Sequence, residues 1–557
     1  MTAVLPRLDA KTFGAYYTDE EVANFLVRWA IRSKDDAVLD PSFGGGVFLR
    51  ASASRIYTLG GTPSRQVAGV ELDAAAFEEA GDFRISQGNF FDIGAGDDDQ
   101  WLGTFDAVVG NPPFIRYQRF SGADRRKALS RAAEHGVTLS QLTSSWAPFI
   151  VHSAAMLKRG GRLAMVVPYE IVHARYAKPV LEFLAARFRE LSLLTFTEPL
   201  FPSINEATVL LLADGKDEGR SERLSISNFV NAGGLRSEPA STAEIEIRAV
   251  IGDEERFSAL HLPPEYRDLY NAAKRFCTEL GELADVGIGY VTGANDFFHV
   301  TCDVQRQYDL PDLDLAPVVC RGSAFRGAVL TDADWRDGLA SGASAYLLKL
   351  ESLSPAESTK RYLAHGVSLG IPSRYKCRSR TPWYRVPNVY EADAFLTYMS
   401  GDRPRLVSNE AALYAPNTLH VLRLGQTAFS ARALAIGWQS SISRLSCEIE
   451  GHAMGGGMLK LEPREASRVL IPTEIATDDM DGLAIQIDAL LRSGRDDAAR
   501  KVVDGLTLRA QGFAARDCER LAEASRMLQQ RRCRIGPNAS DRNASPSGTV
   551  GPRIRPE

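Results

Sequence analysis

The sequence predicts an α/β fold: a doubly wound, parallel sheet over the first half of the chain, joined to a mixed α+β second half. Three observations carry this. Apolar runs of strand length alternate with helical patterns from Glu20 onward. The turns that follow the early runs hold glycines, acids or an Asn-Pro-Pro, residue types that suit the ligand crevice at the C-terminal ends of parallel strands. The character then changes near Pro239, and from Val286 to Ile471 short apolar runs are broken by Gly, Pro and Ser.

Taken in order, Glu20 to Ile31 places Val22, Phe25, Leu26, Trp29 and Ala30 on one helical face, with Thr18 or Asp19 as cap. Ala37-Val-Leu-Asp40 is a strand that runs into Pro41-Ser-Phe-Gly44-Gly45-Gly46 and a helix start. Glycines let a ligand approach the backbone, and the helix start supplies free N–H groups. The spacing matches neither the dinucleotide fingerprint nor the P-loop. Val67 to Asp73 is a second strand ending in acid, and Glu71 there can take both hydroxyls of a ribose. Gly88 to Asp92 closes a third strand. Phe105 to Val109 is a fourth and leads into Asn111-Pro112-Pro113-Phe114. Trp146 to Lys158 reads as a helix, Gly161 to Pro168 as a fifth strand and Val180 to Phe188 as a helix. Leu191 to Phe196 and Thr208 to Leu212 read as two more strands. Glu244, Glu246, Glu254 and Glu255 sit in a polar linking stretch. Ala476 to Arg534 reads as amphipathic helix, and residues 536–557 have a disorder-type composition.

The Asn111 loop is the sharpest feature. Two prolines fix φ and remove backbone donors, and each pushes its predecessor to extended geometry. One rigid corner then presents a carboxamide, a bare carbonyl and an aromatic face. That suits a planar base whose amino group needs two acceptors and whose ring needs a stacking partner. Asn-Pro also starts ordinary turns, so the corner takes its meaning from the glycine turn and the acid before it.

Bulk properties bound the rest. A chain of 557 residues exceeds one core, so two or three domains are expected. The net charge of −5 excludes a uniform nucleic-acid coat and leaves the question to local patches. No apolar run is long enough to span a bilayer, which predicts no membrane partner. The seven cysteines are scattered without metal-type spacing, which predicts no metal site and a reduced, cytoplasmic setting. Between Lys360 and Arg385 basic residues occur without an acid and with aromatics among them. Arg374, Lys376, Arg378, Arg380 and Trp383 are therefore candidates for backbone phosphate contact. The Gly455-Gly456-Gly457 run lacks the Gly-Lys-Ser/Thr ending and reads as a tight turn before a buried strand.

Together, Tyr16-Tyr17-Thr18, Asp40-Pro41-Ser-Phe-Gly44-Gly45-Gly46, Glu71 and Asn111-Pro112-Pro113-Phe114 resemble, in order, the motifs of the TaqI-like N6-adenine DNA methyltransferases. The resemblance covers the first half closely and the second half more loosely. It implies a Rossmann-like S-adenosylmethionine-dependent methyltransferase domain at 1–245, a target-recognition domain at 246–475, a helical segment at 476–535 and a tail at 536–557. It implies S-adenosyl-L-methionine as cofactor, with Tyr17, Thr18, Asp40, Pro41, Gly44, Gly46, Glu71, Asn89, Phe90 and Asn111 in contact with it. Asp40 would orient the methionine end. Asn111 and the Pro112 carbonyl would accept from the target amine, with Phe114 and Phe201 on either side of a base flipped out of double-stranded DNA. Two positions depart from the family: Asp19 replaces a proline, and Asn89 replaces an aspartate that accepts from the cofactor's adenine amine, with Asp92 as a possible substitute. The implied role is site-specific adenine methylation in a restriction system, by a monomer working beside a separately encoded endonuclease. Rival implications are RNA, N4-cytosine or protein-glutamine methylation, or a non-catalytic DNA-binding subunit.

Overall fold

The computed structural model describes residues 18–534 apart from 80–82, 95–99, 173, 202–206, 253–255, 351–354 and 426–428. Tyr17 and the tail at 536–557 lie outside the described residues. The chain divides into two compact units, the first reaching His261 and the second spanning Leu262–Cys533.

The first unit is built on a nine-stranded sheet. Its strands are β1 (Val38–Asp40), β2 (Val67–Glu71), β3 (Arg84–Gln87), β4 (Phe105–Gly110), β5 (Leu157–Pro168), β6 (Phe188–Phe196), β7 (Thr208–Lys216), β8 (Arg223–Phe229) and β9 (Ser241–Glu246). They lie in the order β3-β2-β1-β4-β5-β7-β6-β8-β9. β1 to β5 run parallel, while β7 is antiparallel to both β5 and β6. The chain moves one way across the sheet from β1 to β3, then returns to the other side of β1 with β4. The order therefore reverses between β1 and β4, where such sheets open a crevice at their strand ends.

The helices are α1 (Glu20–Ala30), α2 (Val47–Leu59), α3 (Gly122–Glu134), α4 (Trp146–Met156) and α5 (Lys178–Arg187). α1 starts where Asp19 accepts from the Glu21 amide at 2.7 Å, and it buries Val22, Ala23, Leu26, Val27 and Ala30. That spacing is one helical face. β4 and β5 are covered on both faces, so Val108, Val109, Met165, Val166 and Val167 are fully buried. This is why they read as continuous apolar runs rather than alternating ones.

Several boundaries differ from expectation. The third strand ends at Gln87, and Phe90–Asp92 form a 3-10 turn instead, capped by Asn89. β5 begins at Leu157, so the Lys158-Arg-Gly-Gly run belongs to the strand and not to a helix end. Glu244 and Glu246 are not in a linker: they belong to β9, which pairs antiparallel with β8. β9 is an edge strand in which Ile245 alone is buried, so its alternation is too weak to stand out.

The second unit is mixed α+β, as expected. A five-stranded sheet runs in the order Ala284–Ile288, Leu419–Leu424, Ala394–Thr397, Leu406–Asn409, Val329–Leu330. Smaller sheets pack around it. The Gly455–Gly457 turn joins the paired strands His452–Met454 and Met458–Lys460, with Gly456 and Gly457 at positive φ. The C-terminal stretch is three helices, Met480–Arg492, Asp496–Leu506 and Ala515–Arg534, rather than one. Arg532 is not a solvated helix end. It is buried and forms a two-pronged pair with Glu448 at 2.8 and 2.9 Å, and it donates to the Gly401 carbonyl at 3.0 Å. Among the described residues, no helix is long and apolar enough to cross a membrane.

Candidate cofactor and target-base site

Asp40, Gly44, Gly46, Glu71, Asn89 and Asn111 lie at or just after the C-terminal ends of β1 to β4. Asp40 ends β1 and is 2 % exposed. Its Oδ1 accepts from the Ser42 amide at 3.1 Å, while its Oδ2 is buried without a partner. Burial raises the Asp40 pKa to about 8, against the Ser42 hydrogen bond and with a smaller push from nearby Glu71. Beside it, Gly110 ends β4. A Cβ there would lie 3.0 Å from Asp40 Oδ1 and 3.3 Å from Pro41 Cδ, so any side chain would press on the Asp40 carboxyl.

The glycine turn after β1 is held at both ends. The Phe43 amide donates to the Val70 carbonyl at 3.1 Å, and Phe43 packs edge-on to Phe77. Gly44 and Gly46 both take positive φ, and a Cβ on Gly44 would enter open space. Glu71 Oε2 accepts from the Gly44 amide at 2.8 Å, and its Oε1 accepts from the Leu72 and Asp73 amides at 2.7 and 3.0 Å. The acid thus ties the end of β2 to the glycine turn, so a ribose would have to share or displace these amides.

Asn111 opens the proline corner. Its Nδ2 donates to Thr18 Oγ1 at 3.2 Å, which brings the predicted N-terminal residue to the loop. Among the described residues, its Oδ1 is buried and unpaired. Pro112 and Phe114 are buried as well. The corner has a brace that sequence reasoning missed. Ser145 precedes α4, yet its hydroxyl does not cap that helix. It donates to the Pro113 carbonyl and accepts from the Ile115 amide at 2.8 Å, while the Ser145 amide donates to the Ile115 carbonyl at 3.0 Å.

Asn89 follows β3, next to Glu71: the Gly88 amide donates to the Glu71 carbonyl at 2.9 Å. Asn89 Oδ1 accepts from the Phe91 amide at 3.0 Å, and its Nδ2 donates to Asp124 Oδ1 at 3.0 Å. Asp92 is paired with Lys127. Phe90 is buried and stacks on Phe149 with ring centroids 5.0 Å apart. Phe201 is buried in the same core, at the edge of the segment 202–206 that lies outside the described residues.

The site fits an S-adenosylmethionine-type ligand. Two buried acceptors without donors, Asp40 Oδ2 and Asn111 Oδ1, lie at the two strand ends that flank the switch point. A cation or amine donor would satisfy each. Residues 5–179 match the family described as N-6 DNA Methylase. Residues 254–508 match the C-terminal domain of Type II methyltransferase M.Eco57I. These two matches and the Type II methyltransferase relatives support an N6 DNA methyltransferase. It is 22% identical over 477 residues to Type II methyltransferase M.AccI of Acinetobacter calcoaceticus, covering 82% of this chain and 85% of that one. With M.PaeR7I of Pseudomonas aeruginosa it shares 24% over 514 residues, 82% and 86% of the two chains. Its fold is similar to that of the Type IIL restriction-modification enzyme MmeI, solved in complex with DNA, at a TM-score of 0.53 and 11% identity over 92% of this chain and 75% of that one.

The methylase's second unit holds the predicted DNA-contact residues, and they divide. Arg374, Lys376 and Arg378 are exposed around Tyr375, itself 71% exposed, with the Lys376 and Arg378 cations 5.6 and 5.4 Å from its ring centre. Arg380 instead turns inward and donates to the Val291 carbonyl at 2.7 Å. Trp383 packs against Phe297 and Phe298. These two hold the loop in place, and the first three are available to a partner.

Proposed function

We propose that this methylase transfers a methyl group from S-adenosyl-L-methionine to the exocyclic amine of an adenine extruded from double-stranded DNA, as the modification activity of a restriction system. The observation that carries the reading is the unpaired Asn111 Oδ1 on a corner braced by Ser145. When bound, the cofactor supplies an electrophilic methyl on a sulfonium. The chain's own residues do the rest. An exocyclic amine is a poor nucleophile because its lone pair is delocalised into the ring. Acceptors at Asn111 Oδ1 and the Pro112 carbonyl draw on its N–H bonds and localise that pair on nitrogen. Phe114 and Phe201 stack on the base, at about 1–3 kcal/mol each. Glu71 takes the ribose, and Asp40 takes the ammonium of the methionine end. Positioning and electrostatics supply the rate. Arg374, Lys376 and Arg378 contact the DNA backbone.

The test is transfer of a labelled methyl group to duplex DNA, RNA and protein, with hydrolysis of the product to nucleosides. The reading expects N6-methyladenine in duplex DNA. N4-methylcytosine, or label in RNA or protein alone, would overturn it.

A further inference from the structure

The Asn89 position poses a problem for base recognition. With Glu71 at the ribose, as proposed, the cofactor's adenine would lie beside the turn that follows β3, where the Gly88 amide donates to the Glu71 carbonyl at 2.9 Å. An amine there needs an acceptor. Asn89 Oδ1 already accepts from the Phe91 amide at 3.0 Å, and as a neutral amide oxygen it offers a second donor no charge. The assignment of its oxygen is fixed by chemistry on both sides: an amide N–H must meet oxygen, and the Asp124 carboxylate must meet NH2. Its second amide hydrogen takes no partner among the described residues, so the residue can also donate.

The acceptor beside it is Asp124. It sits in the first turn of α3, where a carboxylate is favoured by the helix N-terminus. It is exposed, and among the described residues its Oδ2 takes no hydrogen bond. α3 is fastened to the 89–94 segment independently. Lys127 pairs with Asp92, and Arg131 donates to the Phe91 carbonyl at 2.9 Å and to the Gly94 carbonyl at 3.1 Å. Asp124 is therefore held at a set place relative to Asn89 without depending on the bond between them.

We propose that Asn89 and Asp124 form a composite reader of the cofactor's adenine, with the Asp124 carboxylate accepting from the exocyclic amine and Asn89 Nδ2 donating to the neighbouring ring nitrogen. The inference rests on the reading of the first unit as a nucleoside-binding methyltransferase site. A donor beside an acceptor complements the amine edge of adenine. It opposes hypoxanthine, which presents an acceptor oxygen and a ring N–H in those places. The charge that a single side chain would supply from the strand end comes here from a helix.

The experiment is calorimetric binding of S-adenosylhomocysteine and of its inosyl counterpart to the full chain. The unaltered protein should prefer the adenosyl compound by roughly ten- to a hundred-fold, the size expected of a charged hydrogen bond. Asp124→Ala should bring the two affinities within about threefold. The swap Asn89→Asp with Asp124→Asn should restore the preference, since it returns the acid to the same pair. If Asp124→Ala binds the adenosyl compound as the unaltered protein does, or weakens both compounds equally, the residue only buttresses the turn and the inference is overturned. An unaltered protein that binds neither nucleoside would overturn the cofactor reading itself, and the inference with it.

Discussion

With Asp40 set against the ligand ammonium, as proposed, cofactor entry is expected to release a proton. Burial raises its pKa from 3.8 to about 8, so at pH 7 roughly nine-tenths of the carboxyl is protonated before the ligand arrives. A ligand ammonium set against it is an opposite charge at contact distance, which lowers the pKa well below 7. Binding at pH 7 therefore expels roughly 0.9 proton per site, and affinity climbs about tenfold per pH unit until it levels near pH 8. The same shift carries a stability sign. The folded pKa lies above the unfolded one, so the contribution of Asp40 is fully present below about pH 3.8. It is lost as pH rises through about 8, at up to about 1.4 kcal/mol per unit. The assay is calorimetry of S-adenosylhomocysteine binding at pH 7 in two buffers, one with a small and one with a large ionisation enthalpy. The observed heats should differ by about 0.9 of the difference in buffer enthalpy, and Asp40→Asn should remove the difference. Identical heats in both buffers, with binding intact, would refute the assignment of Asp40 to the ammonium.

Asn111→Ala should abolish methyl transfer while leaving cofactor affinity within a few-fold and lowering stability by only about 1 kcal/mol, since the acceptor it removes is unpaired among the described residues and the amide gives up one bond, to Thr18. Loss of the Ser145 hydroxyl in Ser145→Ala frees both the Pro113 carbonyl and the Ile115 amide. Turnover should fall about 10- to 100-fold with substrate KM little changed, as expected for a slackened loop, and steady-state kinetics on duplex DNA would read it. Arg532→Ala strands the buried Glu448 carboxylate, and denaturant titration should record about 3–5 kcal/mol of lost stability in the second unit. Converting Arg374, Lys376 and Arg378 together to Ala should weaken DNA binding uniformly across sequences and flatten the plot of log affinity against log salt by roughly two to three units; an unchanged slope would place the DNA elsewhere.

Much of the first unit was legible because its strands are buried on both faces. Continuous apolar runs such as Ala164 to Val167 stand out in a sequence. Glycine turns and proline corners are legible too, since they record backbone needs that few other residues meet. β9 was illegible for the opposite reason: an edge strand with one buried side chain resembles a polar linker. The site shows the same divide. Asp40, Glu71 and Asn111 sit at strand ends, where local sequence places them. Ser145 acts across 30 residues on a loop it does not belong to, and by local rules it reads as a helix cap. Asp124 carries no local signal in the sequence, and only the fold brings it to Asn89. In the second unit a run of basic residues could not be sorted by composition. Arg380 and Trp383 face inward and Arg374, Lys376 and Arg378 face outward, which is a difference of side-chain direction alone.

The arrangement at the switch point explains why the site is built as it is. A buried acceptor without a donor costs about 1–3 kcal/mol, and a buried carboxylate more, so folded proteins pair nearly all such groups. Here two of them, Asp40 Oδ2 and Asn111 Oδ1, are left open at the ends of neighbouring strands. Around them the backbone is rigidly tied. Glu71 clamps the glycine turn, Gly110 keeps a side chain from pressing on the Asp40 carboxyl, and Ser145 stitches the proline corner. The stiffness matters because a flexible loop would turn its own amides towards the stranded oxygens and satisfy them. Held apart, the oxygens remain available to donors that arrive from outside, a ligand ammonium at one and an exocyclic amine at the other.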